Sequence, residues 1–211
     1  MSIKNKDQQI VSKERVASFA EVYTAQNEVN AMLDLVDHEI NKLESRFFEP
    51  ACGDGNFLIE VLDRKLKVLS SKYKKNQFEF EKNSIVVNGS LYGIDFLSDN
   101  VVNTRKRLKK KFFQMYEYIF KNTMNQNFVK SINFIIDKNI IHGDALTLKK
   151  VNLDVPVIFS EWTIVNSKLK RRDFTLSELM SYTFEKGTLF SDEGKNVNLA
   201  SPLKEYSFTD Y

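Results

Sequence analysis

Residues 46–58 read Arg46-Phe47-Phe48-Glu49-Pro50-Ala51-Cys52-Gly53-Asp54-Gly55-Asn56-Phe57-Leu58, and this stretch decides the fold. A short apolar run ends at Pro50 and a glycine turn. Apolar residues then recur at Phe57, Leu58, Val61, Leu62, Leu66 and Leu69, the three- and four-residue steps of one helix face. The order strand, glycine turn, helix opens a parallel α/β sheet.

Upstream, Val29, Met32, Leu33, Val36, Ile40 and Leu43 give a second helical stripe with Thr24 as its cap, so residues 1–44 are expected to be an N-terminal helical segment. Downstream, Ser90-Leu91-Tyr92-Gly93-Ile94-Asp95 reads as the second strand. Val101, Leu108, Phe112, Met115 and Ile119 then mark a long helix capped by Ser98. A third apolar run covers Ile132 to Ile136 and Asn139 to His142, ending at Gly143-Asp144-Ala145, and a fourth covers Val155 to Phe159 before Ser160-Glu161-Trp162. Residues 70–88 fit a strand or a helix and are read as an insertion between elements. The alternation predicts a mainly parallel sheet with helices on both faces, truncated after the fourth strand. Residues 45–160 form the expected ligand-binding domain. Residues 161–211 are expected to be a tail with one helix, started by the capping box Thr175-Leu176-Ser177-Glu178.

Composition narrows the class. Seven glycines and three prolines in 211 residues are about half of ordinary usage, which excludes collagen-like, linker and Pro-rich chains. Seventeen phenylalanines within a 42% hydrophobic chain exclude a mainly disordered one. One cysteine, Cys52, allows no internal disulfide, and with only His38 and His142 beside it no zinc-ligand cluster can be drawn, so no metal is expected. Neither a signal core nor a run of about 18 apolar residues is present, and the expectation is a soluble cytoplasmic protein without a membrane partner. A net charge of +3 permits nucleic-acid contact without arguing for it.

In such a sheet the ligand sits beyond the carboxyl ends of the strands, where the chemistry-bearing residues fall. Gly53-Asp54-Gly55 lets backbone approach a ligand closely, and the helix terminus after it favours negative charge by about 0.3–1 kcal/mol. Asp95 ends the second strand and can accept from a ribose diol; Asp144 ends the third and can accept from an exocyclic amine. Each piece also has an ordinary reading as a turn or a cap. Their order along the chain is what describes a nucleoside pocket. A dinucleotide site would need a third glycine where Leu58 stands.

Phe48-Glu49-Pro50-Ala51-Cys52-Gly53-Asp54-Gly55-Asn56-Phe57-Leu58 resembles the S-adenosylmethionine motif of the amino-type DNA methyltransferases, the adenine-N6 modification subunits of restriction-modification systems. Ala20-Glu21-Val22-Tyr23-Thr24-Ala25 is similar to the family's preceding Gly-Glu-Val-Phe-Thr-Pro segment, with Ala25 in place of the proline. Tyr92-Gly93-Ile94-Asp95 and Ile141-His142-Gly143-Asp144-Ala145-Leu146 are similar to its second and third motifs. The resemblance implies a Rossmann-like methyltransferase fold with S-adenosylmethionine as cofactor. Tyr23 and Thr24 would flank the methionine moiety, and Glu49, Pro50, Ala51, Cys52, Gly53, Asp54, Gly55 and Phe57 would line its amino-acid end. Asp95 and Phe96 would meet the ribose side, and Asp144 and Ala145 the adenine. Double-stranded DNA would be the methyl acceptor.

The chain departs from the family at the catalytic loop. Asn-Pro-Pro-Tyr or a relative should follow the fourth strand, where it accepts from the target amine and stacks on the flipped base, but no Pro-Pro exists here. Ser160 and Trp162 are the candidate remnants of that loop, with Trp162 as a packed residue the ordinary alternative. The shortness of the sheet leaves three options: a subunit working with a second modification or specificity subunit, a noncatalytic cofactor-binding or assembly subunit, or a minimal enzyme.

Two basic clusters stand out. Lys168, Lys170, Arg171 and Arg172 are candidate DNA-phosphate contacts. Residues 105–111, six of seven basic, are expected to be a solvated helix face.

Overall fold

Parallel strands buried on both faces need covering layers, and this chain supplies two different ones. The computed structural model describes residues 13–19, 24–179 and 201–211. Strands β1 (Phe47–Glu49), β2 (Leu91–Asp95) and β3 (Ile140–His142) form a parallel sheet in the order β1-β2-β3, with Phe47 opposite Leu91 and Gly93 opposite Ile140. All five residues of β2 are buried.

Among the described residues, three helices precede this core: α1 (Lys13–Phe19), α2 (Gln26–Asp34) and the single turn α3 (Asp37–Ile40). The N-cap of α2 is Ala25 rather than Thr24, and the Glu28 carboxylate accepts the Ala25 amide at 3.2 Å. Between β1 and β2 run α4 (Asn56–Tyr73) and α5 (Gln77–Gly89); between β2 and β3 run α6 (Ser98–Phe120) and α7 (Gln126–Asn139). Residues 70–88 are therefore helical apart from the turn at 74–76. Asn76 starts α5 by accepting the Glu79 amide at 3.2 Å, and Asn125 starts α7 by accepting the Asn127 and Phe128 amides. The run Ile132 to Ile136, read above as strand, lies in α7, whose Phe128, Ile132, Ile135 and Ile136 share one buried face; only Ile140–His142 pairs in the sheet.

Helices α4 to α7 pack on one another and on the sheet face that carries Leu91 and Ile140. The other face, with Tyr92, Ile94 and Ile141, meets Val157, Phe159 and Leu176 instead. This corrects the expectation of helices on both faces and of a fourth parallel strand. Strands β4 (Ile158–Val165) and β5 (Lys168–Thr175) form an antiparallel hairpin in a separate sheet, with β6 (Lys204–Glu205) added to β5. The boundary expected at residue 160 falls inside β4. Asn166 and Ser167 connect the hairpin with both φ positive, the backbone of a two-residue turn matched to strand twist. Leu169 lies beneath it in the main core. Among its described residues, the segment 161–211 thus holds three strands or parts of them besides the expected helix. At that helix the Thr175 hydroxyl accepts the Glu178 amide at 3.3 Å, and the Glu178 carboxylate accepts the Thr175 amide at 3.4 Å, so the capping box forms as expected.

Lys65 of α4 locks the sheet's entry. Its fully buried ammonium donates to the carbonyls of Leu43 and Ser45 and to the Ser90 hydroxyl, joining the chain before β1 to the start of β2. Burial pulls its pKa down to about 8. Among the described residues, no helix is long and apolar enough to cross a membrane.

Candidate functional site

The carboxyl ends of β1, β2 and β3 open on one cavity of about 630 Å³. Its floor is the turn after β1. Gly53 (φ 51°) and Gly55 (φ 88°) occupy the left-handed region, and a Cβ on Gly55 would stand 2.7 Å from Thr104 Cγ2. Only glycine fits there without strain. The Cys52 amide donates to the Ile94 carbonyl at 2.9 Å and the Gly55 amide to the Cys52 carbonyl at 2.8 Å, so the turn is stitched to β2.

Asp95 holds the same turn from its other side. Its buried carboxylate accepts the Gly53 amide at 2.7 Å, the Leu97 amide at 2.9 Å and the Asn100 side-chain amide at 3.1 Å. The Leu97 bond turns the chain after β2 toward α6, whose N-cap is Leu97 rather than the expected Ser98 and makes no side-chain cap bond. Asp144 forms a local turn, accepting the Leu146 amide and the Thr147 hydroxyl, each at 2.9 Å. These bonds, the Leu146 amide first, hold its carboxyl below the usual range.

Of the residues expected to hold a cofactor, Thr24, Glu49, Pro50, Ala51, Cys52, Gly53, Asp54, Phe57, Asp95, Phe96, Asp144 and Ala145 line this cavity. Gly55 shapes the turn without lining it, and Tyr23 lies outside the described residues. Asn56, Gly143 and Leu146, which stand inside the quoted motifs without an assigned role, and Leu97 and Asn100, which stand outside them, complete the lining. Leu97 follows the expected Phe96, and Asn100 reaches the pocket from the first turn of α6 through its bond to Asp95.

The electrostatics are one-sided. Glu49, Asp54, Asp95 and Asp144 contribute four carboxylates, and the described lining holds no lysine, arginine or histidine. Glu49 Oε2 and Asp54 Oδ1 are buried and make no hydrogen bond. Burial, then the charges of Asp95 and Asp54, raises the Glu49 carboxyl to about 8. The Cys52 thiol is likewise pushed up by burial, then by Asp95 and Glu49, which removes it as a nucleophile.

The candidate catalytic residues lie elsewhere. Ser160 is buried in β4 and donates to Asp173 Oδ1 at 2.7 Å, while its carbonyl accepts from the Tyr92 hydroxyl. The Trp162 indole donates to Asn139 Oδ1 at 2.9 Å and lies against Gly89, at the amino ends of the strands and away from the cavity. Trp162 has the packed role that was the ordinary alternative. Neither residue lines the pocket.

Three of the four candidate DNA contacts, all on β5, are paired with acids of β4, β5 or β6. Arg171 grips Asp173 with two bonds of 2.8 and 2.7 Å and stacks 4.3 Å over the Tyr206 ring; Arg172 pairs with Glu161; Lys170 pairs with Glu205 at 3.0 Å. Lys168 is exposed. The basic run 105–111 is only partly the solvated face expected, at the exposed Lys106 and Lys110. Arg105 donates to the carbonyls of Asp137 and Ile140 at the end of α7, Lys109 and Lys111 pair with Asp137 and Asp63, and Arg107 reaches the glycine turn. No protein-family model, curated protein or solved structure matches the chain.

Proposed function

We propose that this chain is an S-adenosylmethionine-binding, Rossmann-like subunit of an adenine-N6 DNA methyltransferase from a restriction-modification system. The observation that carries the reading is the pairing of a glycine turn with a carboxylate-rich pocket whose described lining holds no cation, in which Glu49 and Asp54 each keep a buried oxygen unsatisfied. Buried acceptors without donors are costly, so a ligand that brings positive charge or N–H donors is favoured over one that brings phosphates. S-adenosylmethionine brings an ammonium, a sulfonium and an adenine amine, and supplies the methyl group. A pyrophosphate would face the Asp95 and Asp144 carboxylates with no lysine or arginine in the described lining to receive it. The ligand's own carboxylate has the backbone amides at the start of α4 available to it.

In this reading Glu49 and Asp54 receive the amino-acid end, Asp95 the ribose and Asp144 the adenine amine, while Phe57 and Phe96 supply apolar walls. Asp95 acts twice, because the carboxylate that would meet the ribose also fixes Gly53.

A second reading is favoured by one specific arrangement. β4 leaves the parallel sheet, and Ser160 and Trp162 are engaged in the fold's interior. That suits a chain that binds the cofactor while a partner subunit presents the target adenine, or one with an assembly role alone. Calorimetric titration with S-adenosylmethionine, beside NAD as a phosphate-bearing control, tests the pocket. Tritiated methyl transfer to mixed-sequence double-stranded DNA, by the chain alone and with a second modification or specificity subunit, separates the roles. Micromolar cofactor binding with transfer only in the presence of the partner is the expected result; no binding rejects the reading, and binding without transfer in either mixture leaves the noncatalytic role.

A further inference from the structure

Helix α6 places Asn100, Thr104 and Arg107 at steps of four and three, so their side chains share one face, and all three end on the machinery of the glycine turn. Asn100 donates to Asp95, which receives the Gly53 amide. The Thr104 hydroxyl donates to the Gly53 carbonyl at 2.9 Å and fills the space beside Gly55. The Arg107 guanidinium spans the outer half of the turn: it donates to the Asp54 carbonyl at 2.7 Å and the Asn56 side-chain oxygen at 2.9 Å, and pairs with the Asp54 carboxylate at 2.5 Å. Arg107 does not itself line the cavity.

We propose that Arg107 is a positioning residue of the pocket, locking the 53–56 turn in its ligand-receiving shape through Asp54 and Asn56. Two residues at left-handed φ make the turn intrinsically mobile, since glycine gives up more backbone freedom than any other residue when fixed. A planar fork with several donors in fixed geometry can hold a carbonyl, a carboxylate and an amide oxygen together; a lysine can supply the charge but not the fork. The same cation also offsets Asp54, so that the pocket's four carboxylates are not all left uncompensated. Arg105, two residues earlier, provides the contrast: it serves the end of α7 and touches nothing in the turn.

The role in ligand binding rests on the S-adenosylmethionine reading, and the test separates the two. Arg107→Met, Arg107→Lys and Arg105→Met are compared with the unaltered chain by thermal unfolding, by calorimetric titration with S-adenosylmethionine well below the transition, and by hydrogen exchange of the Gly53 and Gly55 amides. We expect Arg107→Met to weaken binding about ten- to a hundredfold and to speed exchange at both amides, Arg107→Lys to fall between, and Arg105→Met to lower thermal stability while sparing affinity and turn exchange. Unchanged affinity and exchange in folded Arg107→Met overturn the proposal. If Arg107→Met does not fold, Arg107→Lys decides by the same two readouts. If the unaltered chain binds no S-adenosylmethionine, the functional reading fails, and turn exchange alone decides whether Arg107 holds the turn.

Discussion

The Asp95 carboxylate, at the end of β2, accepts the Gly53 amide at 2.7 Å and so ties the second strand to the turn that follows the first. One side chain therefore both shapes the pocket and lines it. Asp95→Ala is expected to weaken S-adenosylmethionine binding about ten- to a hundredfold, the equivalent of one charge-assisted hydrogen bond of about 1.5–3 kcal/mol. Asp95→Asn keeps an acceptor for one amide and should lose less. Calorimetry with circular dichroism as the control for folding measures both, and unaltered binding in a folded Asp95→Ala chain would count against the pocket.

Glu49 predicts a pH dependence with a definite sign. In the folded chain its carboxyl holds a proton up to about pH 8, against an ordinary value of 4.5, because of burial first and the neighbouring Asp95 and Asp54 charges second. The folded state therefore binds the extra proton between these values, and the stability it contributes is complete below about pH 4.5 and lost as pH rises through about 8. The difference in unfolding free energy between the unaltered chain and Glu49→Gln should shift in that window. A cationic ligand reverses the preference, so its affinity should rise with pH toward 8, with proton uptake by buffers of differing ionisation enthalpy at pH 7. Glu49→Gln should abolish that proton release; release of the same size in the variant would place the titrating group elsewhere.

Trp162 distinguishes a packed residue from a base-stacking one. Trp162→Phe removes the indole donor to Asn139, leaving that buried amide oxygen short of a partner, and should cost about 1–3 kcal/mol of stability in chemical denaturation. Cofactor affinity should not change. A folded variant with full stability and selectively lost methyl transfer would instead restore Trp162 to the acceptor site.

The hairpin's basic residues divide by their partners. Arg171→Met strands Asp173, which is buried, and should destabilise the fold by about 3–5 kcal/mol. Lys168 and Lys170 lie nearer the surface, and if this edge meets DNA their joint replacement by Gln should flatten the logarithmic salt dependence of DNA binding by about 0.9 per phosphate contact removed. An unaltered slope assigns the DNA contact to another surface.

The motif-bearing strand ends were legible in the sequence because their chemistry is local. Glycines at the two left-handed positions, a proline that follows β1, an acid that ends β2 and one two residues past β3 are each dictated by a few neighbouring bonds, and Gly53, Asp54, Asp95 and Asp144 meet in one cavity as their order suggested. The capping box at Thr175 was legible for the same reason. Local pattern misled where an apolar residue off the buried face, the exposed Phe134, masked the helical period of Phe128, Ile132, Ile135 and Ile136. Ile132 to Ile136 is as apolar as a buried strand, and only the Asn125 cap and the contacts of α7 with α5 and α6 make it a helix.

What tertiary structure alone decided is the partner of each long-range group. Whether Val157 and Phe159 extend the parallel sheet or cover its face depends on competition between strand pairing and burial of Tyr92, Ile94 and Ile141, and the hairpin with β5 wins that competition by satisfying both. The same holds for charge. Arg105, Arg107, Arg171 and Arg172 read as solvated or DNA-facing from their neighbours in sequence, yet each finds a carbonyl or carboxylate brought near by the fold. A cation's role is set by which acceptors lie within reach of its long side chain, and that distance is a property of the folded chain.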